Sequence, residues 1–374
     1  MELLSNHGKN LMTSRQRVKT ALEHREADRV PCHMNAADQV VKKLKKELSV
    51  QTDRELLETL HIDTFDMRGI TIRDGVMPRY RGSGHPTLNS SWKGDIAALW
   101  GIVEEEVATE CGTVRNQVSY PLKEAASEED LTAYQWPDAD WFDYHDLRAR
   151  LEPWTDRSII LTGASVWQHP SYVRSLDMLL MDLALDPSMA TYLFDRFTAF
   201  YLDFFKRILD EVGDLVDCIA LADDLGTQNS LMISPAMFSE FVEPRIRQFA
   251  DLAHRYDCAL ILHTDGNIRS IIPDLIDAGV DVLDPLQPEA EGMDPASIKR
   301  EFGNDLVLRG GISTQYTLSK GSTREVREEV KRVLSEMAPG GGYILSPGHP
   351  VLQDDVPVEN IITMYETAFE LGAY

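Results

Sequence analysis

His263 closes the apolar run Ala259-Leu260-Ile261-Leu262, and Asp265 follows two residues later. Side chains at i and i+2 of a strand share one face, so this His-x-Asp pair would project two ligand-capable groups into one pocket. A lone histidine at a strand end is often just a hydrogen-bonded core residue; the aspartate beside it is what argues for chemistry. His349, in Ser346-Pro347-Gly348-His349, is a candidate third member. His263, Asp265 and His349 together would make a nitrogen and oxygen set of the kind that holds zinc with an open coordination position. They could equally form a hydrogen-bonded acid/base cluster, and spacing alone does not separate the two. Asp223-Asp224 ends another apolar run. Adjacent strand residues point to opposite sides, so one of the two is expected to face the pocket. Asp224 is the expected catalytic one, with Asp223 capping or pairing structurally.

Other short apolar runs also end in polar groups. Asn35, Asp66 with Arg68, Trp167 after Gly163-Ala164-Ser165, Gln287 after Asp284, and Arg309 before Gly310-Gly311 all fall at such ends. Loops are polar anyway, but charged residues still attached to apolar runs are more than that bias supplies. The reading is a catalytic group of Asp224, His263, Asp265 and His349, with Asn35, Asp66, Arg68, Trp167, Gln287 and Arg309 as substrate-binding residues.

These ends need a scaffold that brings them together. Eight strand candidates can be counted: Val30–Asn35, Asp63–Arg68, Ile159–Gly163, Cys218–Asp223, Ala259–Thr264, Val280–Asp284, Leu306–Arg309 and Gly342–Leu345. Most precede an amphipathic helix, which is the rhythm of βα units around a parallel sheet. One helix is predicted from Ser234 as N-cap with Pro235 at its first position, running on through Phe238, Phe241, Val242, Phe249 and Ala253. Ser322 and Glu325 form a capping-box pattern, and a last helix is expected near Val358–Leu371. Eight such units fit an α/β fold of the (β/α)8 TIM-barrel kind, with a site at the carboxyl ends of the strands. A doubly wound sheet is the alternative, weakened because no G-x-G-x-x-G follows the first strand. Residues 1–374 are expected to form a single domain. An insertion of hairpins over the barrel mouth is expected at about residues 70–120, the segment Gly75–Tyr120. Lys123–Leu151 should supply the overdue helix.

Composition bounds the rest. The chain has 374 residues, 43% apolar and 26% charged, with a formal net charge of −24. Such a surface repels nucleic acid and acidic membranes, and an anionic ligand would need its own local arginine cluster. No apolar run is long enough for a membrane span and the first residues do not read as a secretory signal, so a cytoplasmic protein is expected. Cys32, Cys111, Cys218 and Cys258 form no C-x-x-C pair and read as reduced thiols. A monomer or homodimer is the expected assembly.

Several of these segments resemble one family. Leu221–Pro235, LADDLGTQNSLMISP, is similar to the fourth-strand motif of the uroporphyrinogen-decarboxylase superfamily. So are Asp28-Arg29-Val30-Pro31, Leu308–Gln315, Gly341–His349 and Val356–Asn360, and the resemblance runs from about Ser14 to Leu371. It implies a barrel and one of two chemistries. One is cofactor-free decarboxylation of uroporphyrinogen. The other is methyl transfer among a methyl donor, a corrinoid and an acceptor, often with zinc. Decarboxylases of the family carry an M-R-Q-A-G-R-Y motif after the first strand, which grips an octa-anionic porphyrinogen. Here that stretch reads His33-Met34-Asn35-Ala36-Ala37-Asp38-Gln39, with no arginine between Arg29 and Arg54. Asp66 is the nearest match to the decarboxylase aspartate, and His349 sits where decarboxylases place a histidine. Thiol methyltransferases of the family show His-x-Cys and a later Cys, positions that here hold His263, Asp265 and His349. Harder ligands still suit zinc, but fit an ether or amine donor better than a thiol. The resemblance therefore implies a corrinoid-dependent methyltransferase that moves a methyl group from a small methylated ether or amine to a corrinoid carried by a partner protein. A uroporphyrinogen-type decarboxylase is the first alternative, and a non-catalytic tetrapyrrole- or corrinoid-binding protein the second.

Overall fold

The computed structural model describes residues 12–71, 75–82, 87–89, 91–109, 112–349 and 351–374. Its centre is a seven-stranded parallel sheet whose spatial order follows the chain. The strands are β1 (Thr64–Asp66), β2 (Ser158–Ala164), β3 (Val216–Ala222), β4 (Ala259–His263), β5 (Val282–Leu286), β6 (Val307–Ile312) and β7 (Tyr343–Pro347). Helices follow these strands, including Pro187–Val212, Glu243–Arg255, Pro295–Phe302, Thr323–Met337 and Val358–Leu371.

The expected strand Val30–Asn35 is largely replaced by a looser connection. Only Asn35–Ala36 is a strand, paired with Val351–Leu352, and Cys32 makes a single parallel bridge to Leu345. Pro31 has no N–H to give to a ladder, which accounts for the irregularity. The segment still touches both ends of the sheet. His33 N–H donates to the Leu345 carbonyl at 2.9 Å, and Asp63 N–H to the Cys32 carbonyl at 2.9 Å.

Two apolar layers follow from strand periodicity. Ile160, Cys218, Ala220, Ile261, Val282, Val307 and Ile344 form a small interior cluster, with Val18 and Ala21 of the Ser14–Leu22 helix packed into it. Alternate residues such as Leu161, Ile219, Leu260, Leu283 and Leu308 belong to the larger core beneath the helices. The Ser14–Leu22 helix is tied down by ions: Arg17 pairs with Asp28 and Asp63 at 2.6 Å each, and Arg29 pairs with Asp63 at 2.8 Å. The Asp28-Arg29 motif thus does structural work at the end of the sheet opposite the polar strand termini.

Two helix expectations change. Ser234 does cap its helix through Met237 N–H, but a π turn over Phe238–Val242 divides Pro235–Met237 from Glu243–Arg255. Lys123–Leu151 is not one helix: it holds the short helices Glu128–Ala133 and Leu147–Leu151 around a 3-10 turn. Pro137 explains this, since the residue before a proline is pushed out of helical geometry. Within the Gly75–Tyr120 stretch an antiparallel hairpin pairs Glu104–Thr109 with Gly112–Gln117. Cys32, Cys218 and Cys258 are free thiols. Cys111 lies outside the described residues, and among those that are described no helix is long and apolar enough to cross a membrane.

Candidate active site

Strand periodicity also builds the site. Ile261, Val282 and Val307 face the interior, so His263, Asp284 and Arg309, two residues on, face the same way one layer higher. The register sets Asp284 beside His263. Asp284 then bridges two cations-in-waiting: Oδ2 accepts from His263 Nδ1 at 3.0 Å and Oδ1 from Arg309 Nε at 2.5 Å. Burial alone would raise the Asp284 carboxyl, but the charge and hydrogen bond of Arg309, with His263, hold it far below the usual range.

The other nitrogen of His263 faces open space shared by two carboxylates. Nε2 lies 3.5 Å from Asp224 Oδ1 and 3.9 Å from Asp265 Oδ2. Burial would discharge this ring, yet its bonds to Asp224 and Asp284 and the charge of Asp265 hold its pKa well above the ordinary value. Asp224 is correspondingly held low by His263 against the effect of burial, and burial raises Asp265. One ligand atom from each of Asp224, His263 and Asp265 lies within 4.8 Å of the others, a spacing that could hold a metal ion. His349 stands one step off, with Nε2 3.8 Å from Asp265 Oδ2 and Nδ1 3.1 Å from the Val351 carbonyl. The structure therefore gathers Asp224 into the trio and leaves His349 at its edge.

These groups open on a cavity of about 520 Å³, lined also by Asn35, Asp66, Arg68 and Arg309. Burial pushes the Asp66 carboxyl up to about 6, even though Oδ1 accepts Arg68 N–H at 2.7 Å. Gly163 makes room for Arg68: at φ +112°, a Cβ there would sit 3.0 Å from Arg68 Cδ.

Two expected binding residues lie elsewhere. Trp167 is buried outside the cavity against Phe194, because its backbone N–H is drawn to Asp223 at 2.7 Å. Asp223 also accepts Ser165 Oγ at 2.5 Å and the N–H groups of Val166 and Gln168, fixing the turn after β2. Gln287 does not line the cavity either; its Oε1 accepts Gly266 N–H at 2.8 Å and shapes the loop after His263. Conversely, Asp284, His33, His169 and Gln168 line the cavity without having been singled out as site residues. Alternation from Val282 would have found Asp284, and His33 shares the i, i+2 face of Asn35. His169 and Gln168 sit on the helix after β2, where no periodic signal marks them.

A family model for uroporphyrinogen decarboxylase (URO-D) matches residues 155–371, more than half of the chain. The chain belongs to the uroporphyrinogen decarboxylase family. Within that family's neighbourhood, it is 30% identical over 145 residues to the methylcobamide:CoM methyltransferase MtaA of Methanosarcina barkeri. That match covers 39% of this chain and 39% of the relative, so the chain spans about two fifths of the length of the curated protein it matches. A solved methyltransferase structure from Methanosarcina mazei superposes with a TM-score of 0.63 at 18% identity, covering 96% of this chain and 99% of the other. The last match speaks for a shared fold. This member of the family thus carries an α/β architecture with a curled parallel sheet and an Asp224, His263, Asp265 cluster at its carboxyl edge.

Proposed function

We propose that this protein transfers a methyl group from a small methylated substrate to a corrinoid delivered by a partner protein. The observation that carries the reading is the presentation of His263. Asp284 takes one nitrogen, and the other looks past Asp224 and Asp265 into the cavity. A carboxylate behind a histidine is the arrangement that orients metal-binding imidazoles. The residues fit zinc: Asp265 Oδ1 is buried without a hydrogen-bond partner, and the donor set is one nitrogen and carboxylate oxygens. Asp224, His263 and Asp265 would hold the ion, with His349 beside them. When bound, zinc would supply Lewis-acid polarisation of the leaving atom. Without it, His263 Nε2 holds a proton for the same atom, with Asp284 and Asp224 supporting the charge. In either case the donor's methyl bond breaks, the reduced corrinoid takes the methyl group, and the leaving oxygen or nitrogen ends with a proton. Asn35, Asp66, Arg68 and Arg309 would orient the substrate, while Trp167 and Gln287 support the loops around it.

The charge of the wall argues against the family's eponymous substrate. Asp66, Asp95, Glu104, Asp224, Asp265 and Asp284 stand against Arg68, Arg309 and the charged His263, six acids to three cationic groups. An octa-anionic porphyrinogen would meet repulsion there. The name of the MtaA relative supports methyl transfer. We further read residues 30–36 as the eighth stave of a closed barrel, the whole chain as one domain, and residues from about 70 to 120 as an insertion at its mouth.

Zinc analysis of protein purified without added metal, combined with methylation of a corrinoid carrier followed by absorbance, tests the proposal. Stoichiometric zinc, methyl transfer, and loss of both in His263→Ala are expected. Absence of zinc together with full transfer in His263→Ala would overturn the site. Conversion of uroporphyrinogen III to coproporphyrinogen would instead establish the decarboxylase alternative.

A further inference from the structure

The cavity has a second wall that the carboxylate cluster does not use. His169, on the Gln168–Arg174 helix, lines it, and its backbone N–H is anchored to Ser165 Oγ at 2.9 Å. Behind the ring lies a buried relay. Tyr201 Oη is 2.7 Å from His169 Nδ1, and Trp100 Nε1 is 2.7 Å from the same hydroxyl. All three side chains are buried.

Donor chemistry gives this relay one direction. An indole N–H can only donate, so the Tyr201 oxygen accepts from Trp100. The Tyr201 proton must then go to His169 Nδ1. The reverse, Nδ1–H donating to Tyr201, would leave the hydroxyl proton buried and unpaired, at a cost of about 1–3 kcal/mol. The His169 proton therefore sits on Nε2, on the side away from Tyr201. Burial pushes the ring pKa down to about 3, so the donor is neutral at working pH.

We propose that His169 is a specificity-determining residue whose Nε2–H, fixed by the Trp100–Tyr201 relay, donates to a neutral oxygen on the substrate. The inference rests on the methyl-transfer reading and narrows its donor class to oxygen-bearing compounds, methyl ethers above all. A methylated ammonium has no lone pair to accept this bond, and a thioether sulfur accepts weakly. Trp100 and Tyr201 act through His169 as positioning residues.

Selective 15N-histidine NMR on the full chain reads the tautomer directly, with His169→Phe assigning the signal. The expected result is protonated Nε2 and bare Nδ1 from pH 8 to about pH 5, with the preference lost in Tyr201→Phe. The matched ligands anisole, thioanisole and ethylbenzene then test the acceptor. Anisole should bind about fivefold more tightly than ethylbenzene, in keeping with one neutral hydrogen bond, with thioanisole between them. The ratio should fall to about one in His169→Phe. A protonated Nδ1, an imidazolium, equal affinities, or no binding of any of the three to the unmodified protein would each overturn the assignment. If the tautomer and the anisole preference hold but no corrinoid is methylated, the functional reading fails while this subsite stands.

Discussion

His263 holds one ring nitrogen against Asp284 and leaves the other to two carboxylates, so its usefulness depends on the residue that fixes the ring from behind. Replacing Asp284 by Asn removes the charge that orients His263 and balances Arg309. On the proposed function we expect zinc affinity, measured by chelator competition, to weaken about 10- to 100-fold. Unchanged affinity would show that Asp284 serves Arg309 alone. Asp66 makes a separate prediction. Its carboxyl is raised from 3.8 to about 6, so the folded chain holds that proton more tightly than the unfolded chain does. The stability linked to this group is therefore present below about pH 4 and is lost as pH rises through 6. Asp66→Asn should gain on the parent by up to about 3 kcal/mol between pH 4.5 and 7.5 in urea titrations. A constant difference would reject the shift. Single residues were legible where strand alternation marks them: His263 and Arg309 lie two steps beyond an inward apolar residue, and Asp265 two steps beyond His263. Trp167 misled because a strand-end aromatic can turn outward when its backbone is captured, here by Asp223. His169 was illegible because the role proposed for it depends on Tyr201 and Trp100, both far away in the chain.

Strand positions were readable from apolar runs and turn residues, and the helices with good caps, such as Thr323–Met337, were readable too. What failed were segments governed by proline. Pro31 loosens the first strand, and Pro137 breaks the expected helix. The end of β2 carries a different kind of information. The pairing with β3 is irregular between Leu161 and Ala164, and Gly163 sits there at φ +112°. A side chain at that position would be strained and would also press on Arg68. Gly163→Ala is expected to cost about 1–3 kcal/mol in denaturant unfolding. On the proposed function it should also lower methyl-donor affinity, because Arg68 must move. Wild-type stability in that variant would mean the turn relaxes without strain.

At the scale of the molecule, the polar edge and the apolar base divide the sheet into two unlike ends. The division follows from placing Ile261, Val282 and Val307 two residues before His263, Asp284 and Arg309. The net charge of −24 adds a long-range field, so a docking partner would need a basic face and its association should slow with added salt. The base is corked by Val18 and Ala21, which are held in place by Arg17 and its aspartates. Among the described residues the cavity is thus stopped at its base, and the strand-end mouth serves as its doorway. On the proposed function, a carrier settling over that doorway would trap whatever is inside and bar whatever is not. The small donor must enter first and its demethylated remnant leave last. Steady-state rates should therefore show dead-end inhibition by excess carrier, relieved by raising the donor concentration.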